Sequence, residues 1–188
     1  VDVVEDGVID ANDRTYCGSA MPKFTAGLNL SAYWKNFDFS AFFQGAFGQK
    51  IFSQVNYDIE GFYRGFNVTK RYYDERWTGE GTSNTQPRAA WGAKTNNVKV
   101  SDRFLEDGSY LRLKNLQLGY RIKTPESWKV SNLRVYIAAS NLFTITKYPG
   151  MDPQGNFSAS AGLYGFGTDN STYPSAKTYN VGLKVTIK

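Results

Sequence analysis

Histidine is absent from the 188 residues, and cysteine occurs once, at Cys17. The first absence excludes Ser-His-Asp and Cys-His catalysis, imidazole-ligated metals and a histidine pH switch. The second excludes an internal disulfide framework and a thiolate zinc site. No apolar run approaches the roughly 18 residues a membrane helix needs, and the opening residues have neither the basic start nor the apolar core of a signal peptide. Lys and Arg outnumber Asp and Glu by 22 to 17, for a net charge of +5, but they are scattered, with Lys70-Arg71 and Arg121-Ile122-Lys123 the densest groups. Without a basic stripe, no nucleic-acid partner is expected.

What the chain does have is apolar and aromatic residues, 41% and 16% of the total, enough to build a folded domain or part of one. They recur with period two. Phe24, Ala26, Leu28, Leu30, Ala32 and Trp34 alternate with Thr25, Gly27, Asn29, Ser31 and Tyr33, and after Lys35-Asn36 the series Phe37, Phe39, Ala41, Phe43, Gly45, Phe47 resumes. The pattern predicts a hairpin. A third strand is expected over Ser109 to Tyr120, with a parity slip at Asn115 that a β-bulge would repair. A fourth is expected from Leu133 to about Phe143, and a fifth from Tyr179 to the end.

Strands of about 10 to 12 residues exceed the 5 to 6 usual in soluble sheets and match what a tilted membrane strand needs. The connections alternate between short (Lys35-Asn36; 121–132) and long (49–108; 144–177), as periplasmic turns and extracellular loops do in up-and-down barrels. That assignment puts Tyr33, Trp34 and Tyr120 at the periplasmic rim and Phe47 and Phe143 at the outer one, as membrane-interface aromatics facing the lipid bilayer. Arg112, Lys114, Gln117, Arg134, Tyr136, Asn180 and Lys184 would line a polar lumen. Five strands are too few to close such a barrel, so the fold expected is all-β: antiparallel up-and-down strands forming part of a larger transmembrane β-barrel with long extracellular loops. The segments run as an extracellular loop at 1–22, transmembrane hairpins at 23–48 and 109–143, extracellular loops at 49–108 and 144–177, and a last strand at 178–188.

Several stretches resemble the SusC/RagA family of TonB-dependent outer-membrane transporters. They are S-D-R-F-L-E-D-G-S-Y-L-R-L-K-N-L-Q-L-G-Y from Ser101 to Tyr120, L-R-V-Y-I-A-A-S-N-L-F-T-I-T-K-Y from Leu133 to Tyr148, Y-P-G-M-D-P from Tyr148 to Pro153, P-K-F-T-A-G-L-N-L from Pro22 to Leu30, and the final T-Y-P-S-A-K-T-Y-N-V-G-L-K-V-T-I-K. The resemblance implies the C-terminal segment of a 22-stranded barrel in the outer membrane of a Gram-negative bacterium. It implies energisation by TonB through a plug region outside these residues, a SusD-like surface lipoprotein as lid, and oligosaccharide or peptide cargo. Family barrels commonly end on an aromatic residue, whereas this chain ends Ile187-Lys188.

In the opening segment Asp2, Asp6, Asp10 and Asp13 fall at positions 1, 5, 9 and 12 of a calcium-loop spacing, with Gly7 at the turn and the Val8 carbonyl at position 7. Val4 and Glu5 stand where the family often has Asn and Gly, so one ligand is missing. Calcium is the one cofactor the sequence suggests, and none is required. In 49–108 the aromatics Tyr72, Tyr73, Trp77 and Trp91 with Arg76, and Tyr148 further on, are candidate contacts for cargo or lid, because aromatic faces stack and Arg offers forked hydrogen bonds. The paired carboxylates Asp58/Glu60, Asp74/Glu75 and Glu106/Asp107 make poor catalytic dyads. Adjacent strand residues point to opposite faces, and only Asp58 and Glu60 could share one, so no enzymatic activity is expected. The competing reading is a soluble carbohydrate-binding β-sandwich whose apolar faces meet in a core.

Overall fold

The computed structural model describes residues 3–8, 10–92, 96–154 and 165–187. In chain order the strands and helices are β1 (Phe24–Trp34), β2 (Phe37–Phe47), β3 (Lys50–Ser53), α1 (Gln54–Glu60), α2 (Lys70–Glu75), β4 (Arg76–Trp77), β5 (Gln86–Arg88), β6 (Leu105–Asp107), β7 (Tyr110–Ile122), β8 (Val130–Thr146), β9 (Thr168–Asp169) and β10 (Thr178–Ile187). The five long strands form one antiparallel sheet in the order β1-β2-β7-β8-β10, each paired with its sequence neighbour among the long strands. β1 and β2 are joined by the two residues Lys35 and Asn36, with Lys35 in the left-handed region at φ 54°.

The pairing register sorts the side chains by face, since partners across strands share a side. Rows such as Ala32–Phe39–Leu118–Ile137–Val181 and Trp34–Phe37–Tyr120–Val135–Leu183 run over one face, and Ser31–Ser40–Gln117–Ala138–Asn180 over the other. The apolar face is bare: Val181 is 86% and Ile137 56% exposed. Among the described residues no second sheet covers it, which is not how a sandwich core is built.

The parity slip lies one residue earlier than the sequence suggests. Phe42 pairs with Asn115 and Phe43 with Leu113, leaving Lys114 as the extra residue. β8 answers with its own irregularity opposite, where Leu113 pairs with Phe143 and Asn115 with Ser140 around Asn141 at φ 52°. The bulge keeps Leu111 and Leu113 on the same face as Leu116 and Leu118.

The segment 49–108, a long loop by its sequence, holds short elements of its own. β3 pairs antiparallel with β6 and parallel with β9. Ser53 caps α1 by accepting from the Asn56 amide at 3.2 Å, and Thr69 caps α2 by accepting from that of Tyr72 at 3.0 Å. Ile51, Tyr72 and Phe104 are fully buried here, with Phe52, Tyr57 and Phe104 in mutual ring contact at 5.2 to 6.1 Å between centroids. Elements of two to seven residues are too short to show a period, which is why the sequence reads as loop.

Candidate functional site

The polar face of the sheet and the segments at one end of it carry the charged chemistry. Arg134 on β8 reaches across β7 to Asp38 on β2, its Nε donating to Oδ1 at 2.8 Å and its Nη2 to Oδ2. Gly119 lies between them, and a Cβ there would come within 2.6 Å of Asp38 Oδ1. Gln117, with its amide oxygen turned to the guanidinium, accepts from Nη2 at 3.0 Å and from Nη1 at 3.2 Å. The guanidinium also lies over the Tyr136 ring at 4.9 Å.

Nearer the other end of β7, Arg112 is buried and donates from Nη2 to Asp152 at 2.5 Å and from Nε to Thr144 at 2.7 Å. Asp152 also accepts from the amides of Gln154 and Ser175, both at 2.9 Å, and Gln154 Nε2 donates to Tyr110 Oη at 2.7 Å. Burial opposes ionisation of Asp152. The Arg112 guanidinium and the two amides nevertheless hold its pKa below the ordinary carboxylate value. This cluster ties the chain after β8 to the sheet.

Beside it Tyr148 is buried and donates to Asp169, and burial followed by that carboxylate pushes its pKa up. In the small sheet's helices Glu60, fully buried, accepts from Thr69 Oγ1 at 2.5 Å and from Arg71 at 3.3 Å. Arg71 also approaches Glu106 at 3.6 Å. Hydrogen bonds from Ser109 hold the pKa of Asp107 down.

The candidate contacts divide. Tyr73, 61% exposed, with Arg76 over its ring at 4.4 Å, and Trp91, 69% exposed, remain open to a partner, while Trp77 is half-buried in β4. Tyr72 and Tyr148 are corrected. Tyr72 packs on Phe62 and donates to the Pro87 carbonyl at 2.9 Å, and Tyr148 is turned onto Asp169, so neither presents an exposed ring. Both sit where short elements fold back on them, which spacing cannot show.

Of the interface aromatics, Trp34, Phe37 and Tyr120 adjoin on the apolar face, with centroids 6.2 and 4.7 Å apart, and Phe47 stacks on Phe24 at 4.7 Å. Phe143 is level with Leu113 and Phe43. Tyr33 pairs with Asp38 and so lies on the polar face, a correction that strict alternation from Trp34 requires.

The carboxylate pair Asp58 and Glu60 falls on helix α1, not on a strand, and two residues apart on a helix do not face each other. Asp58 accepts from Gln54 Nε2 at 2.9 Å and from Tyr63 Oη. In the opening segment Asp2 lies outside the described residues. Asp13 accepts from the amides of Val3 and Asp10, both at 2.7 Å, Asp6 from that of Val8 at 2.9 Å, and Asp10 from that of Asn12 at 2.7 Å. Among the described residues no three acidic or thiol side chains gather at metal-binding distance.

No protein-family profile matches the chain. It is 33% identical over 98% of its length to TonB-dependent receptor P3 of Formosa agariphila and 28% identical over 98% to TonB-dependent receptor SusC of Bacteroides thetaiotaomicron. The chain spans under a fifth of either relative, 18% and 17% respectively. A solved structure of the RagAB peptide transporter superposes with a TM-score of 0.70 at 28% identity, over 89% of this chain and 18% of that one. The RagAB peptide importer in its closed-closed state does so at 0.70 and 27%, over 96% of this chain and 20% of the other. These relatives are receptors and importers by name, not enzymes. Over nearly all its residues the chain is thus similar to TonB-dependent receptors of the SusC/RagA family.

Proposed function

We propose that the chain forms the C-terminal wall of a 22-stranded barrel in the outer membrane of a Gram-negative bacterium. The whole protein would be an active importer of peptides or glycans, energised by TonB through a plug and covered by a SusD-like lipoprotein. The observation that carries the reading is the sheet itself: five long strands with a continuous bare apolar face on one side and an ion-paired polar face on the other. An apolar face on that scale suits lipid, and the polar face suits a hydrated lumen. Among the described residues the outer edges of β1 and β10 are unpaired, which suits further strands of the same barrel. Exposed Tyr73 with Arg76, and Trp91, are the surface offered to the lid or to cargo.

Cell fractionation tests this. The native polypeptide should sit in the outer membrane with a denatured mass several times that of these 188 residues, and its deletion should abolish uptake of labelled peptide or oligosaccharide. A soluble species of this chain's own mass would sink the barrel. Calcium at the acidic opening segment belongs to the same reading and is supported by residue spacing alone. Titration of the purified protein with Ca²⁺, against Asp6→Asn and Asp10→Asn, decides it.

A further inference from the structure

The chain after β8 and the start of α1 enclose a cavity of about 180 Å³, walled by Ser53, Asn56, Gly150, Met151, Asp169 and Thr172 among others. Asp169 is the one ionisable residue in that wall, and it is only 6% exposed. A buried carboxylate is costly unless a counter-charge or several hydrogen bonds offset it. Among the described residues no basic side chain forms an ion pair with Asp169, and the sequence from 155 to 164 contains neither Lys nor Arg.

What Asp169 does have orients it. Tyr148 Oη donates to Oδ2, while among the described residues Oδ1 meets only the Thr172 amide, at 3.4 Å. Oδ1 is therefore the less committed oxygen. Backbone pairing of Ser53 with Asp169, between β3 and β9, anchors the carboxylate beside α1. Gly150 is packed so closely that a Cβ would strike the Tyr148 ring, so the Tyr148 hydroxyl has little room to leave. Glu106, to which Asn56 Nδ2 donates at 3.4 Å, adds a second carboxylate behind the wall.

We propose that this cavity binds a primary ammonium group, carried by a peptide amino terminus or by a lysine side chain, with Asp169 as its counter-ion. An ammonium offers three donors and a full charge, the complement of one underused carboxylate oxygen and the neighbouring hydroxyls. The volume is below the roughly 300 Å³ at which sites for whole drug-sized ligands begin, so it suits one terminus or one side chain. Val55 and Met151 supply apolar wall for the carbon stem. The inference rests on the import reading for the source of the amine and narrows the cargo to molecules that carry one.

The test is calorimetry on the full-length transporter in detergent with three probes: tetra-alanine, N-acetyl-tetra-alanine and N-acetyl-trialanyl-lysine. At about pH 6.5 both amines are protonated. At least one amine probe should bind about tenfold or more tighter than N-acetyl-tetra-alanine, which has the same carboxylate and no ammonium, and which one does so identifies the source. Asp169→Asn, which still accepts from Tyr148, should erase the difference while leaving the heat-modifiable gel mobility of the folded barrel unchanged. Equal affinity of all three probes, absence of binding, or an amine preference that survives Asp169→Asn would overturn the proposal. Uptake of labelled cargo by intact cells reports on import separately, so loss of the amine site and loss of transport are told apart.

Discussion

Arg134 bonds to Asp38 two strands away as well as to Gln117 on the strand between, and Gly119 is the residue that lets it pass. Any side chain at that position stands where the guanidinium and carboxylate meet. The pair is mostly but not fully shielded, at 16% and 18% side-chain exposure, so its strength is that of charge-assisted hydrogen bonds more than of a buried ion pair.

Replacing Gly119 with Leu should therefore cost the barrel about 1–3 kcal/mol through overpacking and loss of the clamp. Urea unfolding of the full-length protein, followed by gel mobility, measures it. If Gly119→Leu unfolds at the wild-type midpoint, the clamp contributes nothing.

Arg112 and Asp152 are a different case, because each is about 96% shielded and their partners are fixed. Removing the carboxylate by Asp152→Ala strands a buried guanidinium that already has one nitrogen without a partner among the described residues, at an expected cost of about 3–5 kcal/mol. The double variant Arg112→Met with Asp152→Leu should be less damaged than Asp152→Ala alone. A double-mutant cycle read by urea midpoint checks the coupling.

The same carboxylate sets a pH dependence. Its folded pKa is below the ordinary 3.8, so its contribution to stability is whole above that value and is lost as pH falls through the lower folded value. Hydrogen exchange at the Gln154 and Ser175 amides should be slow from neutral pH to about pH 4, after correction for intrinsic rates, and lose protection below it. Protection unchanged under strong acid would mean that the amides are held by something other than ionised Asp152.

Val181 separates the membrane reading from a soluble one. At 86% exposure it would tolerate Arg in water within about 0.5 kcal/mol, whereas a lipid-facing Arg near mid-bilayer costs about 2–4 kcal/mol. Folding of the full-length Val181→Arg barrel into phosphatidylcholine vesicles should fall accordingly. Wild-type insertion would place that face away from lipid.

The candidate site was legible only where its residues are close in sequence or repeat. Arg134, Asp38 and Tyr136 could be assigned to a polar face by alternation, but nothing in the chain says that a residue at 134 meets one at 38. Spacing misses the burial of Tyr72 and Tyr148 for a related reason, that their partners lie further along the chain, and it misses the helix under Asp58 because seven residues are too few to show a period. Asp169 gave no signal at all, since a lone acid in a Gly- and Ser-rich stretch looks like any solvated loop residue.

The sequence alone determined which residues form the five long strands and, Tyr33 and the slip at Lys114 apart, which face their side chains take, because a period of two is a local property of the backbone and strand length is read directly from it. It also carried the family motifs. Tertiary structure decided the rest: the order of charges across the sheet, the small buried core around Phe104, and the enclosure of Asp169 beside α1. Those depend on which strands become neighbours and on how close the loops pack. Burial and electrostatic pairing are set by distance in space, for which separation along the chain is no guide.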